Sequence, residues 1–209
     1  MRDRRLGIAL AAAVIAVIAV SGCDSSPAPA PTSTPPSSTN SESQTPDTEK
    51  SSASESEEAA ANAEVVLRDY YAVVDELRSD PASDLVGLDA VANSIALSSR
   101  QRQLERERGE GWHQTGQTKI VVVDLQGVEL NNMDADGSVA PLVQFDVCID
   151  VSGVDVLDAN GSSVAAAGRP ATGWERQIVI NYDWENDPVG GWRVSTSETL
   201  GQQSCEADS

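Results

Sequence analysis

The chain is poor in the residues that build many catalytic and metal sites. Its 209 residues include one histidine, one phenylalanine and three cysteines, and aromatic residues make up 4%. A zinc site with several histidine ligands is therefore excluded. Lysine and arginine number 14 against 33 aspartate and glutamate, giving a formal net charge of -19, which argues against binding nucleic acid or anionic lipid headgroups. We expect no nucleic-acid partner, no metal and no cofactor.

The sequence also lacks an apolar run long enough to cross a membrane comfortably. Three arginines in the first five residues precede residues 6–20, which are apolar or small, as in a secretory signal peptide. The next residues, Val20-Ser21-Gly22-Cys23, resemble the lipobox of bacterial lipoproteins, in which a diacylglycerol is attached to the cysteine before cleavage. The resemblance implies a signal peptide at 1–22 and a lipidated (palmitate-bearing) Cys23 held in the outer leaflet of the cytoplasmic membrane, facing the cell wall space. An ordinary cleaved signal and an uncleaved anchor are the alternatives.

The segment after Cys23 lacks large apolar side chains. Residues 24–56 contain no Val, Leu, Ile, Met, Phe, Tyr or Trp, and Ser, Thr and Pro dominate. Such a composition cannot offset the entropy of ordering. The sequence predicts a lipidated cysteine and disordered tether over 23–57 and a globular domain over 58–209. The tether is a plain spacer or an O-glycosylated stalk.

Two cysteines remain once Cys23 is lipidated. Cys148 and Cys205 are an even number in an oxidising compartment, so they are expected to form a disulfide. Two free thiols are the alternative.

The first part of the domain has helical periodicity. Apolar residues recur at three- and four-residue steps from Ala63 to Leu77, which predicts a first helix over about 57–78. A second helix is expected after Asp84, with Leu85, Leu88 and Ile95 on its apolar side, continuing to Arg108.

The period then changes to two, which predicts strands. In residues 119–130 the apolar set changes phase at Gly127, and in 143–156 it changes at Gly153, so each strand is expected to bend at a β-bulge. Residues 174–185 alternate most clearly, with Trp174, Arg176 and Tyr182 on the side expected to face inward. A last strand includes Trp192, Val194 and Thr196.

These elements predict an α+β domain with two N-terminal helices packed in the concave face of a curved antiparallel sheet of about four to five strands. Three short motifs accompany this pattern: Gly111-Trp112-His113-Gln114-Thr115-Gly116, Cys148-Ile149-Asp150-Val151 and Gly191-Trp192-Arg193-Val194. With them the domain resembles the nuclear transport factor 2-like (cone-shaped α+β) lipoproteins of actinobacteria. An unrelated helix-plus-meander domain is the alternative.

Tyr70, Arg176 and Tyr182 are the candidate lining of a pocket between helices and sheet. Domains of the class that this chain resembles sometimes host an aspartate base beside a tyrosine, but the acidic residues of the strands fall mostly on the outward side by pattern. No catalytic residue is therefore assigned, and Arg176 either extends to the rim or binds an anionic group.

Two other candidate sites have simpler interpretations. His113, the only histidine, lies in a polar segment and is expected to be solvated. Asn132-Met133-Asp134-Ala135-Asp136-Gly137 partly resembles a calcium loop, but Val143 stands where the bidentate glutamate belongs, so a hairpin loop is expected.

The sequence thus favours a non-enzymatic envelope lipoprotein that binds another envelope or secreted protein. A binder or sensor of a small apolar ligand is the alternative, and an isomerase- or dehydratase-like enzyme is the third candidate.

Overall fold

The structure, a computed structural model, describes residues 47–131, 140–201 and 205, with side chains from residue 53 onward. The expected signal peptide, Cys23 and most of the tether lie outside the described residues, as does the calcium-like loop at 132–137. No helix within the described ranges has both the length and the apolar character needed to cross a membrane.

The first helix, α1, is Asp47–Ser79. Asp47 is also the first residue that the structure describes. The helix thus begins inside the segment predicted to be tether, a correction with a physical reason: a polar helical turn needs no apolar residues of its own when it extends a helix that packing already holds. The predicted apolar stripe is confirmed, with buried residues at three- and four-residue steps: Ala59, Ala63, Leu67, Tyr70, Val74 and Leu77.

The predicted second helix is two elements. A 3-10 helix spans Leu85–Ala90, and α2 spans Ser94–Gly109. Between them the chain joins the sheet edge: the Asn93 N–H donates to the Val194 carbonyl at 2.9 Å, and the Val194 N–H donates to the Val91 carbonyl at 2.9 Å. Backbone groups bonded to a strand cannot also make helical bonds, so one continuous helix is impossible here. Ile95, expected to be buried, is 65% exposed beyond this break.

Among the residues that the structure describes, six strands follow the helices: β1 His113–Thr115, β2 Lys119–Glu129, β3 Leu142–Asp150, β4 Asp155–Leu157, β5 Thr172–Asn181 and β6 Trp192–Gly201. The four long strands form an antiparallel sheet in the order β2-β3-β5-β6. The β2–β3 register shifts between Leu125 and Gly127, which confirms the predicted bulge, and shifts again between Ile120 and Val122.

The predicted bend at Gly153 is wrong. β3 ends at Asp150, and β4 pairs with β1 in a separate two-stranded antiparallel sheet. Gly116 follows β1 with φ +75°, and a Cβ at this position would overlap the Gly153 carbonyl. The turn after β1 and the turn before β4 are therefore in close contact.

The helices cover one face of the main sheet, called here the inner face, and the opposite face is called the outer face. Inner side chains of β3, namely Val143, Phe145 and Val147, are at most 2% exposed, whereas the alternate residues are only partly buried except for Cys148, which is buried on the outer face. The protein is therefore α+β, with helices packed against antiparallel sheets.

The alternation of β5 is the reverse of the prediction. Gln177, Val179 and Asn181 are fully buried on the inner face, so Trp174 and Arg176 lie on the outer face. The side-chain amide nitrogens of Gln177 and Asn181 are hydrogen-bonded, which offsets the cost of burying them, whereas Gln177 Oε1 has no partner among the described residues. The Asn181 side-chain amide, for example, donates to the Asp187 carbonyl at 2.8 Å and accepts from the Asp183 N–H at 2.9 Å.

Candidate functional site

The structure does not bring Tyr70, Arg176 and Tyr182 together in one pocket. Tyr70 belongs to α1 and is buried in the core between the helices and the sheet, whereas Tyr182 is 60% exposed just beyond β5. Arg176 is on the outer face, where its Nε and Nη2 each donate to an Asp146 carboxylate oxygen at 2.8 Å. The grouping predicted from sequence is corrected accordingly, because it depended on the reversed alternation of β5.

A polar cluster occupies the inner face beside α1. The Tyr71 hydroxyl donates to Glu175 Oε2 at 2.7 Å, and Gln177 Nε2 donates to the Tyr71 hydroxyl at 2.9 Å. Gln177 Nε2 also contacts Glu175 Oε2 at 3.0 Å and Ser197 Oγ at 2.9 Å. Burial and the neighbouring Glu175 carboxylate raise the pKa of Tyr71 well above its usual value. Tyr71 is therefore a neutral donor to a charged acceptor.

Arg100 extends from α2 toward the same region. Its Nε donates to the Tyr70 hydroxyl at 3.2 Å, its Nη1 donates to Gln103 Oε1 at 2.6 Å, and its guanidinium carbon lies 5.7 Å from the Tyr70 ring centroid. Burial lowers the pKa of Arg100, but the Tyr70 hydroxyl and the Glu175 carboxylate outweigh it and raise the pKa. Arg100 is thus a cation at any accessible pH.

A second polar network ties α2 to α1 and β1. Arg78 forms a two-pronged ion pair with Glu107, at 2.9 and 3.0 Å, and also donates to the Gln114 side-chain carbonyl. Gln103 Nε2 donates to Glu107 Oε1 at 2.8 Å. Burial raises the pKa of Glu107, but hydrogen bonds from Arg78 and Gln103 outweigh it and lower the pKa.

The buried carboxylate of Asp75 completes this network. Asp75 accepts from Gln114 Nε2 at 2.7 Å, from the Thr118 N–H at 2.6 Å and from the Thr118 hydroxyl at 2.9 Å. These contacts link α1 to β1 and to the turn that follows it. An open groove of about 570 Å³ runs past Asp75, Glu76 and Gly116, but its buried carboxylate is occupied by hydrogen bonds from the chain itself.

A smaller cavity lies between α2 and the sheet. It has a volume of about 140 Å³ and is lined by Tyr70, Ile95, Ala96, Ser99, Arg100, Gln103 and Ser197. One guanidinium and several hydroxyls thus face the same space. Such a set can bind an oxyanion.

The predicted disulfide is present between Cys148 and Cys205, whose Cα atoms are 5.6 Å apart. Cys148 is opposite Val122 and Trp174 in the neighbouring strands, on the outer face, as the alternation predicts. The bond attaches residue 205, which lies beyond the end of β6, to β3 two residues before that strand ends.

His113 is in β1, opposite Leu157, and is partly exposed. Within the described ranges, no group of three or more His, Cys, Asp or Glu side chains is placed to bind a metal ion.

Sequence reasoning missed Arg100, Tyr71 and Gln177. A signal was available for Arg100: Ala96, Arg100, Leu104 and Glu107 follow the three- and four-residue steps of one helix side, which places two charged residues on the buried stripe. Gln177 gave no such signal, because its partners lie 106 and 20 residues away.

Fold and site together define an α+β domain whose inner face carries a hydrogen-bonded polar cluster and whose outer face carries a disulfide. No family model and no curated protein matches the chain. Among solved structures it is similar to the intermembrane space region of chloroplast protein ARC6, with 16% identity and a TM-score of 0.46 over 68% of this chain and 96% of that one. That likeness is too distant to carry a functional argument.

Proposed function

We propose that this protein is a membrane-anchored envelope lipoprotein whose extracytoplasmic domain is a non-enzymatic protein-interaction module. In this proposal the acylated Cys23 holds the chain at the outer leaflet, and the domain is of the nuclear transport factor 2-like class, with its helices in the concave face of a curved sheet. The sequence pattern around Val20-Ser21-Gly22-Cys23 supports the anchor, and the helices on one face of an antiparallel sheet with a bulge at Gly127 support the class.

The observation that carries the proposal is the filling of the inner face by side chains. Large residues there are almost completely buried: Leu67, Tyr70, Phe145, Val179, Trp192 and Val194. Pockets for small ligands usually measure about 300 to 1,000 Å³ and are mostly apolar. The cavity beside Arg100 has about 140 Å³ and a charged wall, and the groove of about 570 Å³ is open and is lined by polar residues that include Asp75 and Glu76, so neither offers much to a small apolar ligand.

The outer face offers a surface for a basic protein. Asp124, Asp146, Arg176 and Glu198 are opposite one another across all four strands, which makes a row of three carboxylates with one guanidinium. Arg176 is paired with Asp146, while Asp124 and Glu198 are exposed. In a chain of net charge -19, this row favours a partner with a positively charged surface.

The anchor is tested with the Cys23→Ser variant in the native host. The unaltered protein should fractionate with membranes and yield an N-terminal peptide carrying acyl groups on Cys23. The variant should lose the acyl mass and leave the membrane fraction. A wild-type protein with an unmodified Cys23 thiol would contradict the lipoprotein assignment.

The interaction is tested by affinity capture from detergent-solubilised host membranes. Capture with the wild type should recover one stoichiometric partner. The double variant Asp124→Asn/Glu198→Gln should bind that partner at least about tenfold more weakly, which corresponds to a loss of about 1.4 kcal/mol. A charge-matched control, Glu57→Gln/Asp69→Asn, removes two exposed carboxylates from α1 instead. Equal loss in both variants, or repeated absence of a stoichiometric partner, would count against the proposal.

A further inference from the structure

We infer that the cavity between α2 and β6 is a binding site for a small carboxylate, coordinated by Arg100 and the hydroxyls around it. The inference is independent of the proposed interaction with a protein partner. Its central observation is the state of Arg100. In the part of the chain that the structure describes, this partly buried guanidinium has no ion pair, and its partners are the neutral Tyr70 hydroxyl and Gln103 side-chain carbonyl.

The Tyr70 hydroxyl and the Glu175 carboxylate keep Arg100 charged, but its direct hydrogen-bond partners are neutral groups, which replace only part of the hydration that a guanidinium loses on burial. The two nearby carboxylates have other partners. Glu107 binds Arg78 and Gln103, and Glu175 accepts from Tyr71 and Gln177. Among the described residues, Arg100 Nη2 makes no hydrogen bond. That nitrogen is available to a ligand.

The groups around Arg100 add donors that suit an oxyanion. Ser99 and Ser197 line the same cavity, and the Ser99 hydroxyl accepts from Arg102 Nη2 at 3.2 Å, which leaves its own proton free to donate. The Ser197 hydroxyl likewise accepts from Gln177 at 2.9 Å. A carboxylate in the cavity would receive hydrogen bonds from Arg100 and from two serines.

Local charge distinguishes this region from the rest of the molecule. Helix α2 carries four arginines, at positions 100, 102, 106 and 108, against two glutamates, at 105 and 107, so its net charge is positive although that of the whole chain is -19. The surroundings are therefore less repulsive to an anion than most of the surface.

Shape and lining indicate the ligand class. A volume of about 140 Å³ corresponds to roughly five water molecules, which admits a carboxylate with a short chain. The planar guanidinium matches a planar carboxylate, and Ala96 and Ile95 form an apolar wall beside it. We therefore expect a short aliphatic carboxylate, or the carboxylate end of a longer molecule.

The test is a titration of the full chain, isotope-labelled and purified in uncharged detergent, followed by NMR. Sodium butyrate should shift the backbone amides of Ser99, Arg100 and Ser197 saturably, with a dissociation constant of about 1 mM. Butyramide, which has the same shape without charge, should not. Inorganic phosphate at equal ionic strength is the second arm, and phosphate binding without butyrate binding would overturn the carboxylate assignment.

Matched variants separate the site from general charge effects. Arg100→Gln should weaken butyrate binding at least about tenfold, whereas Arg106→Gln, which removes an exposed charge from the same helix, should change it less than twofold. Because Arg100 also bonds to Tyr70 and Gln103, its variant is checked for folding by thermal melting. Ser99→Leu, on an exposed helix position that lines the cavity mouth, should block binding without altering Arg100. Unchanged binding in Ser99→Leu, or equal loss in Arg106→Gln, would overturn the inference.

Discussion

Glu107 is the residue at which the polar network should respond to acid. Its pKa is lowered in the folded protein by Arg78 and Gln103, so the folded state favours the ionised form. The ion pair therefore stabilises the fold fully above the unfolded pKa of about 4.3, and this contribution is lost as pH falls through the lower folded pKa. We predict that Glu107→Gln lowers the free energy of unfolding by about 1 to 3 kcal/mol at neutral pH and flattens its fall below about pH 4.

The measurement is urea denaturation at a series of pH values, and Glu105→Gln is the control. Glu105 is exposed on the same helix, one turn from Gly109, and no network contact depends on it. If both variants keep the acid dependence of the wild type, the Glu107 pair is not its source.

Tyr71 should respond to alkali. Its raised pKa means that the fold favours the neutral phenol, so its contribution is complete below the unfolded pKa of about 10 and is lost as pH rises toward the folded pKa. We predict a late step of tyrosinate absorbance that disappears in Tyr71→Phe and remains in Tyr182→Phe. The Tyr71 variant should also lose about 1 to 3 kcal/mol, because Glu175 and Gln177 each lose a buried partner. A late step that survives in Tyr71→Phe would assign it to another group.

At single positions, sequence reasoning succeeded where hydrophobic pattern decides orientation and failed where polar contacts decide it. The outward direction of Cys148 followed from its apolar neighbours in β3. The inward direction of Gln177 did not follow, because an amide is assigned to solvent unless its partners are known. Those partners, Tyr71 and Ser197, come from α1 and β6.

At the scale of elements, the same limit explains the interruption between the 3-10 helix and α2. The apolar residues from Leu85 to Ile95 recur at three- and four-residue steps that fit one helix. Neither glycine nor proline occurs at residues 91–93, where the helix is interrupted. What ends the helical bonding is a partner in β6: the Val194 backbone pairs with residues 91 to 93. The bulge at Gly127, in contrast, was predictable because the phase of its own strand changes there.

The turn at Gly116 is an element-scale prediction. Gly116 has φ +75°, and a Cβ there would overlap the Gly153 carbonyl of the facing turn. For a residue with a Cβ, the left-handed conformation costs about 1 to 2 kcal/mol, and the Cβ would also push the two turns apart. Gly116→Ala should therefore destabilise the protein by more than this amount in urea denaturation and weaken the pairing of β1 with β4.

Gly87→Ala is the matched control for that substitution. Gly87 lies in the 3-10 helix, where an added Cβ would meet nothing within 4 Å. Its alanine variant should leave stability nearly unchanged or raise it slightly. Equal destabilisation by both alanines would show that the close approach at Gly153 has little energetic effect.

At the scale of the whole molecule, the change of hydrophobic period from helix to strand was sufficient to predict the α+β class. It was not sufficient to predict that β4 leaves the main sheet. β4 instead pairs with β1, and the turns at 116 and 153 that meet there are distant in sequence and carry no apolar signal.

The disulfide acts at this largest scale, because it closes a loop of 57 residues that includes β4, β5 and β6. In the chain-entropy model, a loop of this length contributes about 4 kcal/mol by restricting the unfolded chain. The double variant Cys148→Ser/Cys205→Ser should therefore lose about 2 to 4 kcal/mol in urea denaturation, and reduced wild type should lose the same amount. Because Cys148 is fully buried, part of the loss could instead come from a polar serine in its place. Cys148→Ala/Cys205→Ala separates the two causes: if the loop constraint dominates, it should match reduced wild type, and stability close to that of the oxidised protein would show that the cross-link contributes little.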